Sequence, residues 1–276
     1  MKLYTLVTCL LISLTSYAEV TVRFALYRSE NAVDMYRKFK PLTKEIERIY
    51  LKKYSEKLKV ELKIFADYVT AHKALLSGDA DFARMGPASF ILLKEKDPKL
   101  FLLACEGKKG QLSFDAVCVT QKTNSIKTTK GLKGRSIAFG NEFSTIGRYW
   151  AQALLVKEKI FSKELKNWKF LGRHDKVAMS VLTGNYDAGF IKGSIYRKYD
   201  KKQKLRVITR AQIPNKPWIA SSKLDEEMQK RLQETILEIN SIKILALLKI
   251  TGFKKVDLKF YDGVRDLIDK SKGFEQ

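Results

Sequence analysis

The chain of 276 residues is 45% hydrophobic and 30% charged, which excludes a disordered or fibrous protein and leaves room for one large domain or two lobes of about 100–150 residues each. Its 53 Lys and Arg against 30 Asp and Glu give a net charge of +23. The bases are spread along polar helix faces and come with no nucleic-acid-binding motif, so the charge reads as a solvated surface and no nucleic-acid partner is expected.

Met1-Lys2 is a short positive start, Leu3 to Leu14 is an uncharged, mostly apolar run, and Ser16-Tyr17-Ala18 precedes Glu19 as a small-residue cleavage site. This pattern predicts a signal peptide over 1–18 and an exported, periplasmic chain. The alternative is an uncleaved anchor, although the run is short for a membrane span. Cys9 lies inside the run, not after it, which argues against lipid attachment there.

Beyond the leader, Glu19–Leu26 alternates as a strand, Met35–Tyr54 has helical spacing, and Val60–Phe65 is again a strand. Tyr68–Leu76 reads as a helix stopped at Gly78, Asp81–Met85 as a short strand closed by Gly86-Pro87, and Ala88–Glu95 as a helix. Two apolar runs follow, Leu100–Cys105 and Phe114–Thr120, which could be neighbouring strands. Cys105 and Cys118 within them either pair in an oxidising compartment or remain two buried thiols.

The alternation then restarts: strand Arg135–Phe139, helix Ile146–Lys157, strand Trp168–Leu171, helix Asp175–Thr183, strand Asp187–Ile191, helix Ser194–Tyr199 and strand Leu205–Thr209. A short strand at Trp218–Ala220 and helices at Asp225–Asn240, Ile242–Lys249 and Tyr261–Lys270 complete the chain. Two α/β units with largely parallel sheets result. Short crossings near Gly110–Ser113 and Ala211–Pro217 divide them into one lobe of 19–111 plus 215–276 and another of 112–214, with a ligand cleft between.

The chemistry lies at strand ends. Ser136 to Gly147 runs from a strand through a polar turn into a helix, with Ser144 and Thr145 at the helix start. Unpaired amides and the helix dipole make such a terminus an anion site, and two hydroxyls add donors. Ordinary N-capping accounts for the same residues. His174, in Gly172-Arg173-His174-Asp175, opens another helix and could donate to an oxyanion. Arg28, Arg84 and Lys192 are further candidate cations near strand ends. No Gly-x-Ser-x-Gly elbow is present, and His72 and His174 are the only histidines, so an esterase, a metal site and a cofactor are not expected.

In order and spacing, Asp67-Tyr68, Leu76-x-Gly78-x-x-Asp81-x-Ala83, Gly86-Pro87-Ala88-Ser89, Leu132 to Phe139, Ser144-Thr145-x-Gly147, His174-Asp175, Gly184-x-x-Asp187-Ala188 and Ile213-Pro214 resemble the PhnD-like periplasmic solute-binding proteins of phosphonate, phosphite and phosphate uptake. The resemblance, from about Val22 to Phe253, implies a type II periplasmic-binding-protein fold that closes on its ligand without catalysis. Ser144, Thr145, Ile146 and Gly147 match the family's Ser-Thr-Ser-Gly turn, with Ile146 replacing a serine. His174 and Tyr68 match pocket residues, and Met85 stands where the family has a tyrosine. Ser194 and Lys216 replace two acidic residues that hold an ammonium, which argues against 2-aminoethylphosphonate as the preferred ligand. The implied partners are a small oxyanion and an inner-membrane ABC permease, or alternatively a sensor kinase that receives the closed form. A monomer is expected.

Overall fold

The computed structural model describes residues 19–29 and 31–276. The predicted leader over 1–18, with its cleavage site and Cys9, lies outside them.

The first half builds β1 (Val20–Tyr27), α1 (Ala32–Tyr54), β2 (Leu58–Phe65), α2 (Tyr68–Ser77), β3 (Phe82–Arg84), α3 (Pro87–Lys96) and β4 (Phe101–Gly107). The second α/β unit holds β5 (Ser113–Gln121), β6 (Ser136–Phe139), a π-helical turn Thr145–Trp150 running into α4 (Ala151–Lys157), and β7 (Asn167–Phe170). It continues with α5 (His174–Leu182), β8 (Ala188–Lys192), α6 (Gly193–Tyr199) and β9 (Leu205–Pro214). The chain then returns through β10 (Pro217–Ala220), α7 (Glu226–Leu237), α8 (Ile242–Leu248), β11 (Gly252–Lys254) and α9 (Asp262–Ser271).

These strands form two sheets, β11-β4-β10-β3-β1-β2 and β7-β6-β8-β5-β9. β1 runs parallel to β2 and β3, and β6 parallel to β7 and β8, as helix-linked strands must. The returning strand β10 inserts antiparallel between β3 and β4, and β5 pairs antiparallel with β8 and β9. Each sheet is therefore mixed where the chain changes lobe.

The first core is centred on Phe24, whose ring stacks on Phe82 at 4.6 Å and on Trp218 at 4.7 Å. In the second lobe Phe139 packs edge-on to Trp168 at 5.9 Å. The two Gly-x-x-Asp repeats serve these sheets. Gly78 and Gly184 take the left-handed conformation that ends α2 and follows α5 (φ 86° and 77°). Asp81 accepts the Arg23 amide at 2.6 Å, and Asp187 accepts the Ser136 amide at 2.9 Å. Each carboxylate thus pins the adjacent parallel strand.

Three details depart from the sequence reading. α1 starts at Ala32 because the Asn31 side chain caps the Val33 amide at 2.9 Å. β9 runs on to Pro214 because β5 pairs with it throughout, Ser113 opposite Pro214, so the second crossing shrinks to Asn215-Lys216. Cys105 and Cys118 are not neighbours across a strand pair: β4 and β5 belong to different sheets, and both thiols are buried and free. Burial pushes both thiol pKa values up, that of Cys105 to about 11.

Asn215 ties the two crossings together. Its amide donates to the Leu112 carbonyl at 2.7 Å and its side chain to the Glu106 carbonyl at 2.8 Å. The chain end spans both lobes: Val264 and Ile268 of α9 pack in a cluster with Phe90 and Tyr261, whereas Phe274 lies 5.5 Å from both Phe139 and Trp168.

Candidate functional site

Five helical segments begin at strand ends that converge on the cleft: α2 with Tyr68, α3 after Gly86, the π-turn after Ser144, α5 with His174, and α6 after Lys192. Ligands of open α/β sheets sit at such strand ends, facing unpaired helix amides.

The turn joining β6 to the π-helix is held shut by glycines. The Gly140 amide donates to the Gly147 carbonyl at 2.8 Å, and a Cβ on Gly147 would meet Gly140 Cα at 2.6 Å. Ser144 caps the turn by accepting the Gly147 amide at 3.0 Å. Thr145 Oγ1 accepts the Ala88 amide of the other lobe at 2.9 Å. Each hydroxyl accepts one bond and keeps its own proton to donate. Among the described residues the amides of Thr145 and Ile146 have no acceptor. The Ile146 side chain is buried in the second-lobe core, so only its backbone is available to a ligand.

His174 lies beside this turn: a Cβ on Gly140 would be 3.7 Å from its ring. Burial, then the Lys192 and Lys216 charges, push its pKa down to about 3 against the Phe190 carbonyl, which favours protonation. The imidazole is neutral at working pH, and its buried Nδ1 has no well-formed hydrogen bond.

Lys216 is buried in the second crossing, and its ammonium donates to the Tyr27 hydroxyl. Lys192, at the end of β8, has its pKa lowered to about 8 by burial and by the charge of Lys216. Arg84 forms a two-pronged pair with Glu106, Nη2 to Oε2 at 2.9 Å, and Trp218 Nε1 donates to the same carboxylate at 3.1 Å. Burial works against ionised Glu106, but the Arg84 guanidinium outweighs it and holds the carboxyl below its usual range. Arg84, Lys192 and Lys216 against Glu106 leave a surplus of two positive charges.

Tyr68 stacks on Tyr27 at 3.7 Å and reaches Phe143 of the other lobe at 6.0 Å. Met85 is fully buried in the apolar cluster that contains Tyr27. The structure does not bring Arg28 and Ser194 to this cluster: Arg28 is exposed just past β1, and Ser194 faces solvent on the first turn of α6. Of the two residues in the ammonium argument, Ser194 is exposed and Lys216 is buried against Tyr27. Sequence reasoning missed Tyr27, Glu106, Gly140 and Phe143. A lone Glu closing the apolar run Phe101–Cys105 was the available signal for one of them.

A family model described as the periplasmic substrate-binding protein of phosphonate ABC transporters matches residues 24–261. The chain is 25% identical over 244 residues to the probable ABC transporter phosphite binding protein PhnD1 of Prochlorococcus marinus (strain MIT 9301), covering 79% of this chain and 82% of that protein. It is 24% identical over 182 residues to the phosphate-import protein PhnD of Mycolicibacterium smegmatis, covering 62% and 54%. The solved structure of Prochlorococcus marinus PhnD1 in complex with methylphosphonate superposes with a TM-score of 0.78 at 22% identity, covering 92% of this chain and 98% of that one. The match across the whole α/β body identifies the chain as a member of the family of periplasmic substrate-binding proteins of phosphonate ABC transporters, whose members bind and do not catalyse.

Proposed function

We propose that the cleft captures a small phosphorus oxyanion, namely phosphite, phosphate or a short phosphonate such as methylphosphonate, and presents it to an ABC permease. The observation that carries this reading is the surplus of two positive charges, from the buried Lys216 and the half-buried Lys192 and Arg84 against Glu106, beside a helix start with uncommitted amides. A doubly charged anion neutralises that surplus and takes the hydroxyl protons of Ser144 and Thr145. The named ligands of the relatives, phosphite, phosphate and methylphosphonate, belong to the same chemical class.

In this reading residues 19–111 plus 215–276 and 112–214 are the lobes, with the chain end at Phe274 reaching across to pack on the second; residues 1–18 direct export, and the mature chain works as a monomer. Thr145 couples ligand to closure: its hydroxyl accepts from Ala88 across the cleft while donating to the anion, so the anion favours the lobes-together state. The output is uptake; recovery of a permease by the liganded form, in place of a histidine kinase, checks it.

Calorimetric titration of the mature chain should give tight binding of phosphite, methylphosphonate or phosphate and weak binding of sulfate and 2-aminoethylphosphonate. Absence of binding by all three phosphorus anions would falsify the ligand class. Thr145→Ala should weaken the preferred anion by about 1–3 kcal/mol through the lost charge-assisted bond.

Affinity should also depend on pH through Lys192. Its ammonium is half lost at a pH of about 8, so affinity falls progressively as pH rises through that value. A bound anion raises the Lys192 pKa, and binding above pH 8 should take up a proton. Titrations in buffers of different ionisation enthalpy measure that uptake, and a flat affinity from pH 7 to 9.5 would remove Lys192 from the site.

A further inference from the structure

We propose that Phe143 sets the upper size limit of the ligand: stacked on Tyr68, its ring is the wall between the anion site and an acidic vestibule at the cleft mouth. The proposal rests on the oxyanion reading of the cleft. Phe143 immediately precedes Ser144 and Thr145, so its backbone is fixed by the same turn that offers the anion its donors.

The rings of Tyr27, Tyr68 and Phe143 form a near-parallel series, with interplanar angles of 23° and 24° between successive members. At one end the Tyr27 hydroxyl meets the Lys216 ammonium. At the other, Phe143 and Tyr68 line a cavity of about 270 Å³ whose walls include Asp67, Asn141, Glu142 and Phe170. The His72 ring meets Phe143 edge-on at 5.4 Å, and Ser89 Oγ donates to the Phe143 carbonyl at 3.4 Å. Phe143 is therefore held from the opposite lobe on its ring and on its backbone.

An oxyanion gripped by the turn and the lysines must direct its fourth substituent somewhere. In this proposal a hydrogen, hydroxyl or methyl is accommodated with the ring series in place. A longer chain needs the volume that Phe143 fills. Beyond that ring the charged side chains that line the cavity are the carboxylates Asp67 and Glu142, with Arg148 behind Glu142 and over the Phe170 ring. An aminoalkyl chain would find its counter-charge there, but only past the wall.

The experiment compares the unmodified chain with Phe143→Leu and Phe143→Ala by calorimetry against methylphosphonate, propylphosphonate and 2-aminoethylphosphonate, with thermal melts to confirm folding. Phe143→Ala should weaken methylphosphonate by up to about tenfold and tighten both longer ligands by at least about tenfold, since one methylene in a shaped pocket is worth about 10–200-fold. 2-Aminoethylphosphonate should gain more than propylphosphonate, and Phe143→Leu should fall between the parent and Phe143→Ala. Equal loss of all three ligands in both folded variants would overturn the proposal, as would a parent chain that already binds propylphosphonate as tightly as methylphosphonate. A parent that binds no phosphorus anion, methylphosphonate included, would instead overturn the oxyanion reading, and this proposal with it.

Discussion

Lys216→Met should lower the affinity for methylphosphonate or phosphite by about 2–5 kcal/mol, the range for removing one partner of a buried charge pair. Methionine keeps the length and apolar bulk of the lysine stem, so the crossing retains its packing. What disappears is an ammonium buried against Tyr27 and close enough to Lys192 and His174 to shift both. Without ligand, the loss relieves repulsion with Lys192 but also removes an attraction to Glu106, so the melting temperature should change little. With ligand, the anion loses a buried counter-charge that water does not replace. The same variant should move the Lys192 titration upward from about 8, because the second cause of its depression is gone. Calorimetry across pH reads both effects together. Unchanged affinity combined with an unchanged pH midpoint would place Lys216 outside the site.

Gly147→Ala should reduce anion binding by at least about 100-fold, equivalent to about 2.7 kcal/mol. The added methyl would sit 2.6 Å from Gly140 Cα and 2.8 Å from Gly140 N, both backbone atoms that no side-chain rotation can clear. The turn must open, breaking the Gly140–Gly147 hydrogen bond and re-aiming the Thr145 and Ile146 amides. Overpacking of this kind costs about 1–3 kcal/mol of stability. Gly263→Ala is the control: a methyl there meets nothing within 4 Å, and α9 should gain slightly from the better helix former. If Gly147→Ala binds like the parent, the turn does not hold the anion.

Much of the fold was legible because α/β alternation writes itself into hydrophobic period. Strands such as Val60–Phe65 and helices such as Tyr68–Leu76 lie within a residue or two of where the pattern puts them. The antiparallel insertion of β10 was not legible, since four residues carry no sign of which strands they will join. β11, three residues long, left no pattern at all. At the site, Ser144, Thr145 and His174 were readable because helix starts have local chemistry. The charge balance was not, because it depends on side chains from β3, β4, β8 and the second crossing meeting in space. Tyr27 and Phe143 failed for the same reason: an aromatic residue beside a strand or turn looks like core until its neighbours are known.

The carboxyl-terminal segment has a mechanical consequence. α9 packs on the first lobe through Val264 and Ile268 and on the second through α4, and Phe274 is anchored under the second sheet. The lobes are thus joined along three lines of chain, not two. Two connections would let them twist as well as swing, whereas a third leaves something closer to a door on a fixed pin. A reporter domain fused to Gln276 would leave the surface only two residues from that buried anchor and would load the pin directly. Reporters of opening belong on exposed positions away from that segment, such as Val69 on α2 and Met179 on α5.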